Sequence, residues 1–250
     1  MITRPLHQAG SIQKKLEAAD AHTILFPLLK ITDPQDPARA KQQLAQLDSY
    51  DLIIFVSPNS VTQSLKWFDK SVLLNSSTIS NTMVASIGKK TAAILQQHGI
   101  TPDIVPEHHF NSEAFLALPE IQQLGTEQAT LKKIAIIRGD GGRDLLHDTL
   151  LKRGADVDYI DTYQRYCPQT DANILKQHWQ RKELDIIMLT SGSSVANLFK
   201  LTKDEDWINH VTLLLGSQRM QQYVPDGFSG QLLIADDPSD ETLFNKLKTI

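Results

Sequence analysis

Two stretches of the chain end an apolar run in a cluster of small hydroxyl residues. One is DLIIFVSPNSV at 51–61, with Ser57 and Ser60; the other is DIIMLTSGSSV at 185–195, with Ser191, Ser193 and Ser194. Hydroxyls at a strand-to-helix turn, beside the free N–H groups of a helix start, are suited to holding anions. Three further loops add donors to the same kind of turn: SIGKKTA carries Lys89 and Thr91, IIRGDGGRD carries Arg138 and Arg143, and ITRP carries Arg4. Arg138 and Arg143 both fall beside one expected helix start, against the dipole preference, so an anionic partner is expected there. Asp140 or Asp144 is an internal alternative to a ligand. Taken singly, a serine before a helix is the ordinary N-cap, and Tyr163, closing the strand-like DVDYIDTY, has ring packing as its ordinary role.

Other chemistries lack their residues. The eight histidines include no HExxH pair, and no Cys/His set has metal spacing. IIRGDGGRD has no Gly-Lys-Ser/Thr, and Asp144 stands where a dinucleotide fingerprint needs Gly or Ala. There is no Gly-x-Ser-x-Gly elbow. A formal charge of −4 with scattered basic residues gives no nucleic-acid stripe and no attraction to an acidic membrane surface, so any anion site must be built locally. The single cysteine, Cys167, fits a reducing compartment. MITRPLHQAG lacks an apolar leader core, and the apolar runs reach only strand length, so a cytoplasmic protein without membrane spans is expected.

The elements that must position these loops alternate. Strands are predicted at Thr23–Ile31, Asp51–Ser57, Thr82–Ile87, Lys133–Arg138, Asp156–Tyr163, Asp185–Thr190, Val211–Leu215 and Gln231–Ala235. Between them SIQKKLEAAD, ARAKQQLAQLD, KKTAAILQQHG, RDLLHDTLLKRG and DETLFNKLKTI show helical spacing, with Gly99 and Gly154 at expected C-terminal caps. Runs such as KIAIIR suit strands buried on both faces, the parallel-sheet arrangement.

The echo between the serine loops extends along the chain. Asp51 and Asp185 are 134 apart (185 − 51), and Ser57/Ser191, Ser60/Ser194, Arg4/Arg138, Leu16/Leu150 and Ala21/Ala155 keep that offset. Gly88/Gly216 and Glu113/Glu241 are 128 apart (216 − 88). We read two copies of one α/β unit, divided near GTEQATLKK. Proline-bearing segments at corresponding places, ITDPQDP and YQRYCPQT, predict two crossings of the chain between lobes. The expected fold is therefore α/β with two similar lobes, each a parallel sheet flanked by helices, joined by a two-stranded linker. Residues 1–32 with 168–250 form one lobe and 36–163 the other, with linkers near 31–37 and 163–169.

ITRP, FPLLKI, DLIIFVSPNSV, VASIGKKTAAILQQHG, IIRGDGGRDLL, LLKRGADVDYIDTYQR and DIIMLTSGSSV, in this order, resemble uroporphyrinogen-III synthases. The resemblance implies two α/β lobes and closure of hydroxymethylbilane, a linear tetrapyrrole with eight carboxylates. Water is lost and the last pyrrole ring is inverted through a spirocyclic intermediate. It further implies a cofactor-free hydro-lyase of haem synthesis, acting as a monomer, with the preceding enzyme of its pathway as a candidate partner. Tyr163 falls on the family's tyrosine and is the implied acid. Ser57, Ser60, Thr91, Ser191, Ser193 and Ser194 match cleft loops, and Arg138 and Arg143 match carboxylate anchors. The second Gly-x-x-Thr-Ala motif departs from the pattern: it reads Gly216-Ser217-Gln218-Arg219-Met220, with Arg219 where Thr is expected. A two-lobed small-molecule binding or sensor protein, and a regulatory homologue without activity, are the competing readings.

Overall fold

A computed structural model describes residues 1–67, 82–123, 133–203 and 205–249; GTEQATLKK, apart from Lys133, lies outside them. Two compact units result, Met1–Ile31 with Tyr166–Ile250, and Thr32–Arg165.

The elements follow in chain order. Helix α1 spans Leu6–Glu17 and strand β1 spans Lys30–Thr32. Helix α2 (Pro37–Leu44) leads to β2 (Leu52–Phe55), α3 (Pro58–Ser64), β3 (Met83–Ser86) and α4 (Lys89–Gln97). Two short helices, α5 (Ser112–Leu116) and α6 (Pro119–Gln122), precede β4 (Lys133–Gly139), α7 (Leu145–Lys152) and β5 (Asp156–Tyr166). The C-terminal part supplies α8 (Asn173–Gln180), β6 (Ile186–Leu189), α9 (Gly192–Thr202), β7 (Thr212–Leu215), β8 (Leu232–Ile234) and α10 (Asp240–Leu247).

Five strands form one sheet in the order β1-β5-β4-β2-β3, and three form another in the order β6-β7-β8. Pairings β2–β3, β2–β4, β4–β5, β6–β7 and β7–β8 are all parallel. The continuous apolar strands are buried on both faces, as expected for parallel sheets. Leu52 and Ile54 join one core with Ile134 and Ile136, while Ile53 and Phe55 join another with Ala135 and Ile137. The C-terminal sheet divides likewise: Ile187, Leu189, Leu213 and Leu215 face one core, Met188 and Leu214 the other.

The internal repeat survives as strand register. Ile2 bridges Met188 and Leu25 in parallel, and Ile136 is partnered with Ile54 and Tyr159, each of these residues being offset by 134 from its counterpart. The predicted strand Thr23–Ile31 is interrupted. It contributes a bridge at Leu25 and then only Lys30–Thr32, because Pro27 has no N–H to give the ladder. The crossings occur at Ile31/Thr32 and Arg165/Tyr166, on the neighbouring strands β1 and β5.

Helices α4 and α7 end the same way. Gly99 and Gly154 follow their last turns, each at φ 85°, a left-handed conformation that costs an L-residue. Gly99→Ala and Gly154→Ala are each expected to lower unfolding free energy by about 1 kcal/mol. Urea unfolding of the two variants measures it, and unchanged midpoints would contradict the capping role.

Candidate functional site

Each serine loop is a capping box, and the two are built alike. Ser57 Oγ accepts from the Ser60 N–H at 3.1 Å, Ser60 Oγ accepts from the Ser57 N–H at 3.2 Å, and Ser60 Oγ donates to the Ser57 carbonyl at 2.6 Å. Ser191 and Ser194 repeat all three bonds at the same distances. The cause is local. A strand buried on both faces delivers the chain to a helix start whose N–H groups have no partner within the helix, and the serine pair satisfies two of them.

The loops differ in what faces the first serine. Ser191 Oγ donates to Ser194 Oγ at 3.2 Å. Ser57 Oγ instead lies 3.1 Å from the Tyr163 hydroxyl, which also accepts from the Arg165 guanidinium at 3.1 Å. Strands β4 and β5 shift register between Arg138 and Gly139, which brings Gly139 opposite Tyr163. A Cβ on Gly139 would collide with the Tyr163 ring, so glycine there is a condition of the tyrosine's position. Tyr163 is wholly buried, whereas Ser57 is half-buried. Ser57, Ser60 and Tyr163 are thus brought together. Arg165 completes the group; patterning does not single it out, and its only sequence signal is its place in TYQR.

The remaining candidates divide by whether their charge is already matched. Arg4 is buried, paired with Asp240 at the start of α10 and bonded to the Pro238 carbonyl at 2.5 Å. Arg138 bonds Asp161 at 3.1 Å and Asp144 at 3.3 Å, and its guanidinium lies 3.3 Å from the Tyr159 ring centroid. Arg143 makes a forked pair with Glu113, at 2.6 and 3.2 Å. The anion expected beside α7 is therefore supplied from within the chain, with Asp144 among the carboxylates that provide it. Hydrogen bonds from Tyr159 and then Arg138 hold the Asp144 carboxyl below its usual range. Burial and that same bond push the Tyr159 phenol above its own.

Among the described residues, Lys89, Thr91, Ser193 and Arg219 are not committed in this way. Lys89 lies over the Phe110 ring at 5.2 Å and is otherwise exposed. Thr91 sits in the first turn of α4, whose N-cap Gly88 offers no side-chain cap. Arg219 is exposed on the short 3-10 helix Gln218–Tyr223, whose Tyr223 ring packs against Gly192 beside Ser191. Among the described residues, neither the Lys89 ammonium nor the Arg219 guanidinium has a carboxylate partner. Helices α3 and α4 pack together, and the Ser57, Lys89–Thr91 and Tyr163 positions all lie at carboxyl ends of parallel strands, the edge where such sheets bind ligands.

A separate hollow of about 430 Å³ is lined by Asp36, Asp140, Asp158 and Asp161 against a single lining cation, Arg39. Four carboxylates there disfavour an anionic ligand. Among the described residues no group of three or more His, Cys, Asp or Glu is placed to hold a metal ion, and no helix is long and apolar enough to cross a membrane.

Residues 10–245 match the uroporphyrinogen-III synthase HemD family. The chain belongs to that family. Its relatives include the uroporphyrinogen-III synthase of Escherichia coli K12, 28% identical over 99% of both chains. That of Proteus mirabilis is 32% identical over 66% of this chain and 79% of the relative. In fold the chain resembles the Thermus thermophilus uroporphyrinogen III synthase (a triple mutant) with a TM-score of 0.66 at 17% identity, covering 99% of this chain and 95% of that one. The Helicobacter pylori 26695 synthetase gives a TM-score of 0.57 at 19% identity, covering 91% and 95%. The family is one of tetrapyrrole biosynthesis, and the parallel α/β architecture of two units is shared with these structures.

Asp144 carries a test of the internal pairing. Its depressed folded-state pKa means that its contribution to stability is present above the unfolded-state value and is lost as pH falls through the folded one. The stability difference between wild type and Asp144→Asn should be full at pH 7 and shrink below about pH 4. Urea unfolding of both proteins at pH 7 and pH 3 measures it; an equal difference at the two pH values would contradict the pairing.

Proposed function

We propose that this chain closes hydroxymethylbilane to uroporphyrinogen III, with loss of water and inversion of the terminal pyrrole ring, as a hydro-lyase. Membership of the uroporphyrinogen-III synthase family over residues 10–245 is the observation that carries the reading. The site chemistry is compatible with it. The lone pair of a pyrrole nitrogen expels the terminal hydroxyl as water once that oxygen is protonated, which leaves an electrophilic azafulvene carbon. The substituted carbon of the last ring attacks it, the spirocyclic product reopens and recloses with that ring reversed, and a proton is shed as the pyrrole regains aromaticity. Little is asked of the protein beyond one proton donor and geometry, because the unaided substrate closes without inversion.

Geometry is imposed through the substrate's eight carboxylates. Lys89 and Arg219, whose charges are unmatched among the described residues, together with Thr91, Ser193 and the capped helix starts at Ser57–Ser60 and Ser191–Ser194, are the proposed holders. Contacts that strengthen only in the folded-over bilane favour the inverting path. Arg4, Arg138 and Arg143 are reassigned to holding the loops, since each already has its anion. Tyr163 is the proposed source of the proton. An unstable substrate favours direct transfer from the preceding enzyme.

Hydroxymethylbilane generated in situ, followed by oxidation and separation of the porphyrin isomers, tests the activity. Isomer III above the uncatalysed rate is expected; isomer I alone, at the uncatalysed rate, would refute the enzyme reading and favour a binding protein. Tyr163→Phe should lower kcat by about 10²-fold with KM little changed. Arg219→Ala should raise KM with kcat little changed, and an unaltered KM would remove Arg219 from the holders.

A further inference from the structure

Hydrogen-bond accounting around Ser57 separates the two hydroxyls of this pair. The Tyr163 oxygen has two neighbours among the described residues, Ser57 Oγ at 3.1 Å and an Arg165 guanidinium N–H at 3.1 Å. Either hydroxyl of this pair can donate. Because arginine only donates, the proton of the wholly buried Tyr163 finds an acceptor only where Tyr163 donates to Ser57 Oγ, the direction that leaves no buried proton unmet. Ser57 Oγ also accepts from the Ser60 N–H at 3.1 Å, which fills both of its lone pairs. The Ser57 proton is then the one member of the chain with no partner, and it belongs to the half-buried residue rather than to the wholly buried tyrosine. The other copy shows that this is a departure from the shared loop design. There the first serine spends its proton on Ser194 Oγ, a bond not made between Ser57 and Ser60.

We propose that Ser57 is the catalytic residue that hands the proton to the departing hydroxyl, with Tyr163 replenishing it and Arg165 steadying the charge left behind. The inference rests on the bilane-closing reading above. As the C–O bond breaks, its electron pair leaves with the oxygen, which takes the Ser57 proton and departs as water. The pyrrole nitrogen lone pair supplies the carbon. The Tyr163 proton moves to Ser57 Oγ, and the resulting phenolate accepts the Arg165 N–H as a charge-assisted bond. The proton shed when the closed ring regains aromaticity returns by the same path, so the relay ends as it began.

Kinetics of isomer III formation by Ser57→Ala, Ser57→Thr, Tyr163→Phe, Arg165→Gln, Arg165→Lys and the Ser57→Ala/Tyr163→Phe double variant test the relay. Ser57→Ala and Tyr163→Phe are each expected to lower kcat by about 10²-fold. The double variant should be no slower than either alone, because both remove one path. Ser57→Thr, which keeps cap and hydroxyl, should recover most of the rate, and Arg165→Lys should recover more than Arg165→Gln. Loss of the cap is measured separately: Ser191→Ala removes the same box and should lower Tm as much as Ser57→Ala does. A Ser57→Ala enzyme as fast as wild type beside a slow Tyr163→Phe would overturn the relay and make Tyr163 the direct donor. A fast Tyr163→Phe beside a slow Ser57→Ala would overturn it too, leaving Ser57 without its source. Isomer I alone from wild type is a different result, one that refutes the bilane reading itself.

Discussion

Everything at the candidate site depends on the unmet N–H groups of a helix that starts where a doubly buried strand stops. Strands β2 and β6 are apolar throughout and cannot turn a polar side chain into the sheet, so the first polar chemistry available is at their carboxyl ends. There the helix start demands acceptors, and a serine three residues before another serine supplies them. A satisfied helix start still presents partial positive charge outward. Structural necessity and the proposed affinity for carboxylates therefore fall on the same residues.

Duplication makes that coincidence informative. Two copies with the same three capping bonds, at the same distances, isolate what is additional in one of them: a tyrosine hydroxyl on Ser57 and an arginine behind the tyrosine. Capping alone requires neither. Nor does packing alone explain the tyrosine, since it sits against a strand residue that must lack a Cβ to admit the ring. The second copy has its own tyrosine on a glycine, Tyr223 on Gly192, but that ring is about half exposed and its glycine opens the helix. The two units thus keep the same capping device and differ in the hydroxyl and guanidinium attached to it.

Much of the fold was legible because the physics is periodic. Continuous apolar runs marked doubly buried parallel strands, and glycines after helical spacing marked left-handed caps. The 134-residue offset reappears in the structure as equivalent pairings, Ile2 with Met188 and Ile136 with Ile54. What escaped was set by partners distant in sequence. Pro27 sits inside an apolar run, so only its missing N–H reveals the broken strand. Arg138 and Arg143 read as cations awaiting an anion, yet Asp161 lies 23 residues and Glu113 30 residues away in sequence, and no spacing rule couples them. Arg165 carried little beyond its place in TYQR for the same reason: its significance is a contact along β5 to a hydroxyl whose own partner is 106 residues earlier.

This division also explains why no conventional catalytic set could be read from the chain. A reaction whose substrate supplies its own electron push needs no nucleophile, metal or strong base, and such groups are what spacing motifs detect. On the proposed reading, the protein's task is to choose between two closures of one reactive molecule, which differ in geometry more than in intrinsic chemistry. Choice of that kind is made by many modest contacts, each serving also as a cap or a loop bond, and such contacts look structural when taken one by one. Between the two capping serines, the one whose hydrogen bonds do not close on themselves stands apart. In this chain that residue is Ser57, whose counterpart Ser191 does close its bonds, so the asymmetry between two otherwise equal loops is where catalysis is expected to reside.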